Sequence, residues 1–218
     1  MTALILFTIV LVLGSYLIGS LPFGLWIGLA WKHVDIREQG SKNIGATNAF
    51  RVLGSGPASV VFVLDAGKGI AAILLGHYLE SVGIIHGLTM PLFILIGISA
   101  VLGHSFSPFL GFKGGKGVST SLGMLLALSW LVAAIALLSW LIMLAITRYV
   151  SVASVVAAFV LPFAADLCLQ GDERVWMIGL GVTLALLVAV KHYGNLQRLL
   201  AGTEPRIGQQ MPPVEETH

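Results

Sequence analysis

The sequence predicts an all-α, polytopic integral membrane protein with seven transmembrane helices, its N-terminus outside and its C-terminus cytoplasmic. Three observations predict this. Apolar residues make up 57% of the 218 and charged residues only 10%, against about 25% charged in a soluble domain. Mean hydropathy is +0.95. The few charges gather between long apolar runs. So few charged side chains cannot cover a water-facing surface, which excludes soluble enzymes, nucleic-acid binders and secreted disulfide scaffolds. The lone Cys168 permits no internal disulfide and no multi-cysteine metal site.

The first span is the uncharged stretch Met1 to Trp31. A cleaved signal peptide needs a basic start, a shorter apolar core and a small-residue cleavage site, so a retained transmembrane helix is expected. Gly14, Gly19, Gly24 and Gly28 within it suit close helix packing in lipid. The next apolar runs are Val52–Leu79, Ile84–Leu110, Val118–Thr147, Val150–Leu169 and Val175–Val190. The thirty residues of Val118–Thr147 fit either one long tilted helix or two short ones joined by a tight turn.

Charge placement chooses between them. With two helices, one face receives Lys32, Arg37, Lys42, Arg51, Lys68, Lys113, Lys116, Arg148, Lys191, Arg198 and Arg206, eleven of the twelve Lys and Arg, and the other receives only Arg174. With one helix the split falls to eight against four. Positive loops mark the cytoplasm, so seven spans are expected. The outer connections, around Glu80–Gly83 and Gly171–Arg174, are short. Residues 1–208 are expected to form one domain, and 209–218, with Pro212, Pro213, Glu215 and Glu216, a disordered tail.

Three cytoplasmic segments carry chemistry. GSKNIGATNAFR, from Gly40 to Arg51, crowds Ser41, Asn43, Thr47 and Asn48 into a loop before a helix. Exposed backbone N–H groups and a helix N-terminus suit an anion, and Arg51 offers a planar fork for phosphate. A solvated loop with a capping Asn is the plain alternative. GHSFSPFLGFKGGKG, from Gly103 to Gly117, carries His104, Ser107, Lys113, Gly114, Gly115, Lys116 and Gly117. Glycines admit an oxyanion close to the backbone and the lysines compensate its charge. It is not a nucleotide-binding Walker loop, since Leu110 and Gly117 stand where Gly and Ser/Thr are required. Its plain alternative is a flexible loop whose lysines meet lipid headgroups.

The third segment, KHYGNLQRLLAGTE from Lys191 to Glu204, leaves the last span. On a continuing helix His192, Asn195 and Leu199 share a face. A His–Asn pair can orient a hydroxyl or receive a proton; an amphipathic interfacial helix is the alternative. Inside the second span Asp65 and Lys68 lie one turn apart and can neutralise each other, as supporting residues or as a structural ion pair. His33, His77 and His86 have no carboxylates at ligand spacing, so no metal site is expected. Cationic glycine-rich loops with few carboxylates nearby suit phosphates without magnesium.

These strings, together with LDAGKG between the first two, resemble the bacterial acyl-phosphate:glycerol-3-phosphate acyltransferases, the PlsY family, over roughly Gly14 to Glu204. The resemblance implies a seven-helix membrane fold in the bacterial inner membrane with its active site facing the cytoplasm. It implies transfer of a fatty acyl chain from acyl phosphate to the 1-hydroxyl of sn-glycerol 3-phosphate, giving lysophosphatidic acid and phosphate. No cofactor, nucleic acid or obligatory protein partner is expected; the partners are the two substrates and the lipid bilayer. The HxxxxD motif of other glycerophosphate acyltransferases is absent, Glu38 after His33 coming nearest. Ser41, Arg51, Lys116, His192 and Asn195 are then the candidate catalytic residues. Gly40, Asn43, Thr47, Asn48, His104, Ser107, Lys113, Gly114, Gly115 and Gly117 are candidates for binding the phosphates, with Asp65, Lys68 and Glu204 in support. A transporter of organic phosphates is the competing function. It is disfavoured because the polar residues gather at one face and no inverted repeat appears.

Overall fold

A computed structural model describes residues 2–209, and over that range the chain is helical with no strand. The expected tail lies outside it, apart from Gln209. Helix α1 (Thr2–Ser20) ends at Leu21–Pro22, and α2 (Phe23–Lys32) follows. Pro22 has no amide hydrogen and disfavours helical backbone at Leu21, so the first apolar run is two helices where the sequence suggested one. The short α3 (Ala46–Leu53) is separated by Gly54, at φ 92°, from the long α4 (Ser55–Ser81).

Helix α5 (Met90–Ser105) starts later than the apolar run implied. Gly83 and Gly87 turn the chain at φ 74° and 82°, and the Glu80 carboxylate accepts the Leu88 N–H at 3.1 Å. Residues between Ser81 and Met90 therefore form a loop. Then come α6 (Val118–Leu128), α7 (Trp130–Thr147), α8 (Val150–Cys168), α9 (Gly171–Lys191) and α10 (Tyr193–Leu200).

The thirty-residue apolar run divides at Ser129, whose extended backbone (φ −154°, ψ 100°) interrupts the helix. Six stretches are long and apolar enough to cross a bilayer: Ile5–Lys32, Ser55–Ser81, Met90–Leu110, Trp130–Thr147, Val150–Cys168 and Gly171–Lys191. Helix α6 is shorter, its 11 residues rising about 17 Å. Large apolar side chains point outward along these helices, including Ile146, Phe163 and Leu167, each more than 70% exposed. Such a surface is stable only against lipid.

The helices pack through glycine. In α1 and α5, a Cβ on Gly19 would stand 2.0 Å from the Ala100 carbonyl oxygen, and one on Gly103 would stand 2.1 Å from that of Tyr16. In α4 and α6, Gly69 meets the Thr120 carbonyl and Gly123 that of Ala66 in the same way, at 2.2 and 1.9 Å. Gly24 and Gly28 also lie against backbone, whereas Gly14 has open space beside it. Ser99 Oγ adds a hydrogen bond from α5 to the Val12 carbonyl of α1. Helices α7, α8 and α9 pack side by side as a second group. We expect Gly123→Ala to force α4 and α6 apart at a cost of about 1–3 kcal/mol. A lowered thermal midpoint in detergent would register it; Gly14→Ala should leave that midpoint unchanged.

Candidate active site

A cavity of about 560 Å³ opens between the two groups of helices. One end is polar, with Ser41, Thr47, Arg51, Lys116, His192, Asn195 and Glu204 in its wall. The other end is apolar, with Phe62, Val63, Leu122, Leu137, Trp140, Leu141 and Leu161. Phe62, Val63, Leu137 and Leu141 also face outward, between 37% and 64% exposed. The cavity is therefore open sideways between α4 and α7.

The polar wall is built from three distant segments. The loop before α3 is shaped by Asn48, which is buried. Its amide donates to the carbonyls of Ile36 (2.7 Å) and Gln39 (3.1 Å), and its oxygen accepts the Ser41 N–H (2.7 Å). Gly40, at φ 59°, makes the turn above it. Asn43 Oδ1 accepts the Gly45 N–H at 2.9 Å in the turn just before α3, where Gly45 is the residue preceding the first helical turn. This scaffold carries Ser41 and Thr47 to the cavity rim and puts Arg51 on the last turn of α3. Among the described residues Arg51 has no hydrogen-bond partner. Burial lowers its pKa, with the charge of Glu204 opposing.

The glycine-rich segment runs from α5 into α6. Ser107 Oγ donates to the Ser20 carbonyl, which ties the loop to α1 and away from the cavity. Lys113 is exposed and outside the cavity wall. The Gly115 N–H donates to the His104 carbonyl at 2.9 Å. Gly117, at φ 79°, begins α6 at the cavity edge, so the unpaired first-turn N–H groups of α6 face a site suited to an anion.

Lys116 projects inward and donates to Asn195 Oδ1 at 2.5 Å. Asn195 Nδ2 donates in turn to Glu204 Oε1 at 2.7 Å, which also accepts from Ser151 Oγ at 2.9 Å. Arg198 Nε meets the other Glu204 oxygen at 2.9 Å. Burial would raise the Glu204 pKa, but these hydrogen bonds and the Arg198 charge hold it below the usual carboxylate value. Burial lowers Lys116 to about 8, with Glu204 opposing and Arg198, Arg51 and Lys191 adding to the drop. Glu204 is thus a fixed anion that Asn195 links to a lysine.

His192 sits where the last two helices meet. Its backbone (φ −102°, ψ 5°) interrupts the helix, so the continuous face expected for His192, Asn195 and Leu199 is bent at its first member. His192 Nδ1 lies 2.8 Å from the Val188 carbonyl. A carbonyl only accepts, so Nδ1 holds the ring proton and Nε2 is left as an acceptor. Burial and then the charge of Lys116 push His192 down to about 4, keeping it neutral at physiological pH.

Behind the wall, Lys68 Nζ donates to Asp65 Oδ1 at 2.6 Å, both side chains at most 2% exposed. Asp65 and His104 reach the cavity lining; Lys68 lies behind them. Sequence reasoning missed Ser151 and Arg198 as partners of Glu204. Ser151 and Ser154, one turn apart at the start of α8, were the available signal. Among the described residues no group of three His, Cys, Asp or Glu is placed to hold a metal ion.

The family model for glycerol-3-phosphate acyltransferase matches residues 9–202. The chain belongs to the glycerol-3-phosphate acyltransferase family. A glycerol-3-phosphate acyltransferase of Synechococcus sp. is 46% identical over 199 residues, covering 91% of this chain and 94% of the relative. One from Desulforamulus reducens is 40% identical, with 93% and 96% covered. The crystal structure of PlsY (YgiH), an integral membrane glycerol 3-phosphate acyltransferase, in its glycerol 3-phosphate form, superposes with a TM-score of 0.79 at 38% identity. That match covers 92% of this chain and 96% of PlsY. The lysophosphatidic acid form superposes at 0.77. Membership joins the six apolar spans in making this chain an integral membrane acyltransferase.

Proposed function

We propose that this chain transfers a fatty acyl group from acyl phosphate to the 1-hydroxyl of sn-glycerol 3-phosphate, releasing 1-acyl-sn-glycerol 3-phosphate and phosphate. The observation that carries this reading is the continuity of the cavity. A cationic end bearing Arg51 and Lys116 runs directly into an apolar end open toward lipid. One substrate is a small soluble dianion and the other an apolar chain with a phosphate head, and this shape seats both.

The chemistry follows from the residues. An acyl phosphate is already activated, so its departing phosphate needs charge stabilisation more than protonation. Arg51, Lys116 and the first-turn N–H groups of α6 supply that charge. Ser41 lies in the same wall, whereas Gly114 and Gly115, expected to bind phosphate, lie outside it with the Gly115 N–H committed to the His104 carbonyl. Asn195, with both ends of its amide engaged, holds the Lys116 ammonium against the pull of the substrate. The acceptor oxygen attacks the acyl carbon, a new C–O bond forms, and the acyl C–O bond to phosphate breaks with its electron pair going to phosphate. The hydroxyl proton passes to His192 Nε2 or to the leaving phosphate. No side chain in the wall is a strong enough nucleophile to favour an acyl-enzyme over direct transfer.

We place the protein in the bacterial inner membrane with seven crossings, the short α6 being the one beyond the six long stretches. The charge split supports an outside N-terminus and a cytoplasmic C-terminus and active site. Residues 1–208 then form a single domain, with the tail beyond it.

Purified protein given palmitoyl phosphate and glycerol 3-phosphate, without added metal, should form lysophosphatidate and release phosphate in equal amounts. Turnover with palmitoyl-CoA but not with several acyl phosphates would overturn the donor assignment.

A further inference from the structure

Among the described residues no hydrogen bond or ion pair joins Asp65, Lys68 or His104 to Arg51, Lys116 or His192, yet the three are buried beside the cavity, next to the glycine loop. His104 Nδ1 lies 3.4 Å from Lys68 Nζ and 3.5 Å from Asp65 Oδ1. The opposite edge of the ring meets Gly115. A Cβ there would stand 2.0 Å from His104 Nε2 and 2.9 Å from both adjoining ring carbons. A Cβ on Gly114 would stand 2.1 Å from the His104 carbonyl oxygen, and that carbonyl accepts the Gly115 N–H. The two glycines therefore lie flat on His104, and Lys116 is the next residue.

We propose that Asp65, Lys68 and His104 are positioning residues: the ion pair fixes the His104 ring, the ring seats Gly114–Gly115, and that seating aims Lys116 at the phosphate site. The lysine ammonium donates to Asp65 and has protons left to anchor the His104 nitrogen, so ring orientation is set by charge-assisted contacts in a low-dielectric setting. The Phe23 ring lies 4.8 Å from the same ammonium and closes its remaining side. A ring free to rotate would lift the glycines, and small displacements of a phosphate-holding group carry large losses. This deepens the acyl-phosphate reading and rests on it, because the loop's Lys116 is assigned there to phosphate.

The test uses inorganic phosphate as the probe, through its competitive inhibition constant and its direct binding to the purified protein. His104→Phe keeps a planar ring and the backbone carbonyl but removes the nitrogen that Lys68 anchors. His104→Asn returns a polar atom near the Nδ1 position. Asp65→Asn with Lys68→Met removes both charges together and leaves no buried ion unpaired. We expect His104→Phe and the double variant to weaken phosphate binding about 10-fold and raise KM more than they lower kcat. His104→Asn should lie nearer wild type.

Phosphate binding unchanged in His104→Phe, or weakened equally in His104→Asn, would overturn the positioning role. If the double variant does not fold, the contrast between the two His104 variants decides. A wild-type protein that ignores inorganic phosphate would overturn the phosphate-holding assignment of Lys116, and this inference with it.

Discussion

Lys116→Met should cost the enzyme about 100- to 1000-fold in kcat/KM, the loss typical of removing one preorganised charge from a transition state. Methionine keeps much of the stem volume and cannot donate to Asn195 or to phosphate. Lys116 is the lysine in the cavity wall; Lys113 is exposed on the same loop, so Lys113→Met should cost far less. Protonation carries the same expectation. With its pKa lowered to about 8, Lys116 holds its proton at pH 7 and loses it as pH rises through about 8. Wild-type kcat/KM should fall on that alkaline side, and the limb should vanish in Lys116→Met. The limb in kcat should lie at higher pH, because a bound phosphate dianion favours the charged lysine. A wild-type profile flat to pH 10 would contradict the assignment.

His192→Ala should lower kcat by about 100-fold or more while leaving KM for glycerol 3-phosphate within a few-fold, as expected for a group that acts on the proton in flight. The ring is positioned for this by Val188: one nitrogen is committed to that carbonyl and the other is left with a free lone pair. Because His192 sits near 4, it stays neutral throughout the working range and contributes no limb near 6.5. Any decline between pH 7 and about 5 should follow the second ionisation of the substrate phosphates, near 6. Near-normal turnover in His192→Ala would remove it from the catalytic set and leave proton transfer to the departing phosphate.

Much of the fold was legible because lipid imposes simple rules. Counting Lys and Arg on either side called for a break in Val118–Thr147, and the backbone opens at Ser129. The break at Pro22 was equally available in the chain, but an uninterrupted absence of charge concealed it. The late start of α5 was not available, since it depends on Glu80 reaching the Leu88 amide.

At the site, the motifs brought Arg51, Lys116, His192 and Asn195 to one cavity. What each polar side chain touches was less accessible. Asn48 could be named from its motif, but not that its amide would hold Ile36, Gln39 and Ser41 together. Glu204 could be named as a supporting residue, but not its place in the site, since it stands thirteen residues past the last span's final lysine. The chain folds back at Gly202, at φ 72°, and returns that carboxylate to the interior. Contacts made by a reversal of this kind leave no periodic trace in sequence.

The sideways opening between α4 and α7 fixes what concentration means to this catalyst. A donor entering past Phe62, Val63, Leu137 and Leu141 arrives from the plane of the membrane and not from bulk water. Its supply is then set by its mole fraction among the surrounding lipids. Diluting the donor with inert phospholipid slows the reaction even when the amount per litre is unchanged, whereas the acceptor obeys ordinary molarity. The two substrates are counted in different dimensions, and the rate law must carry both.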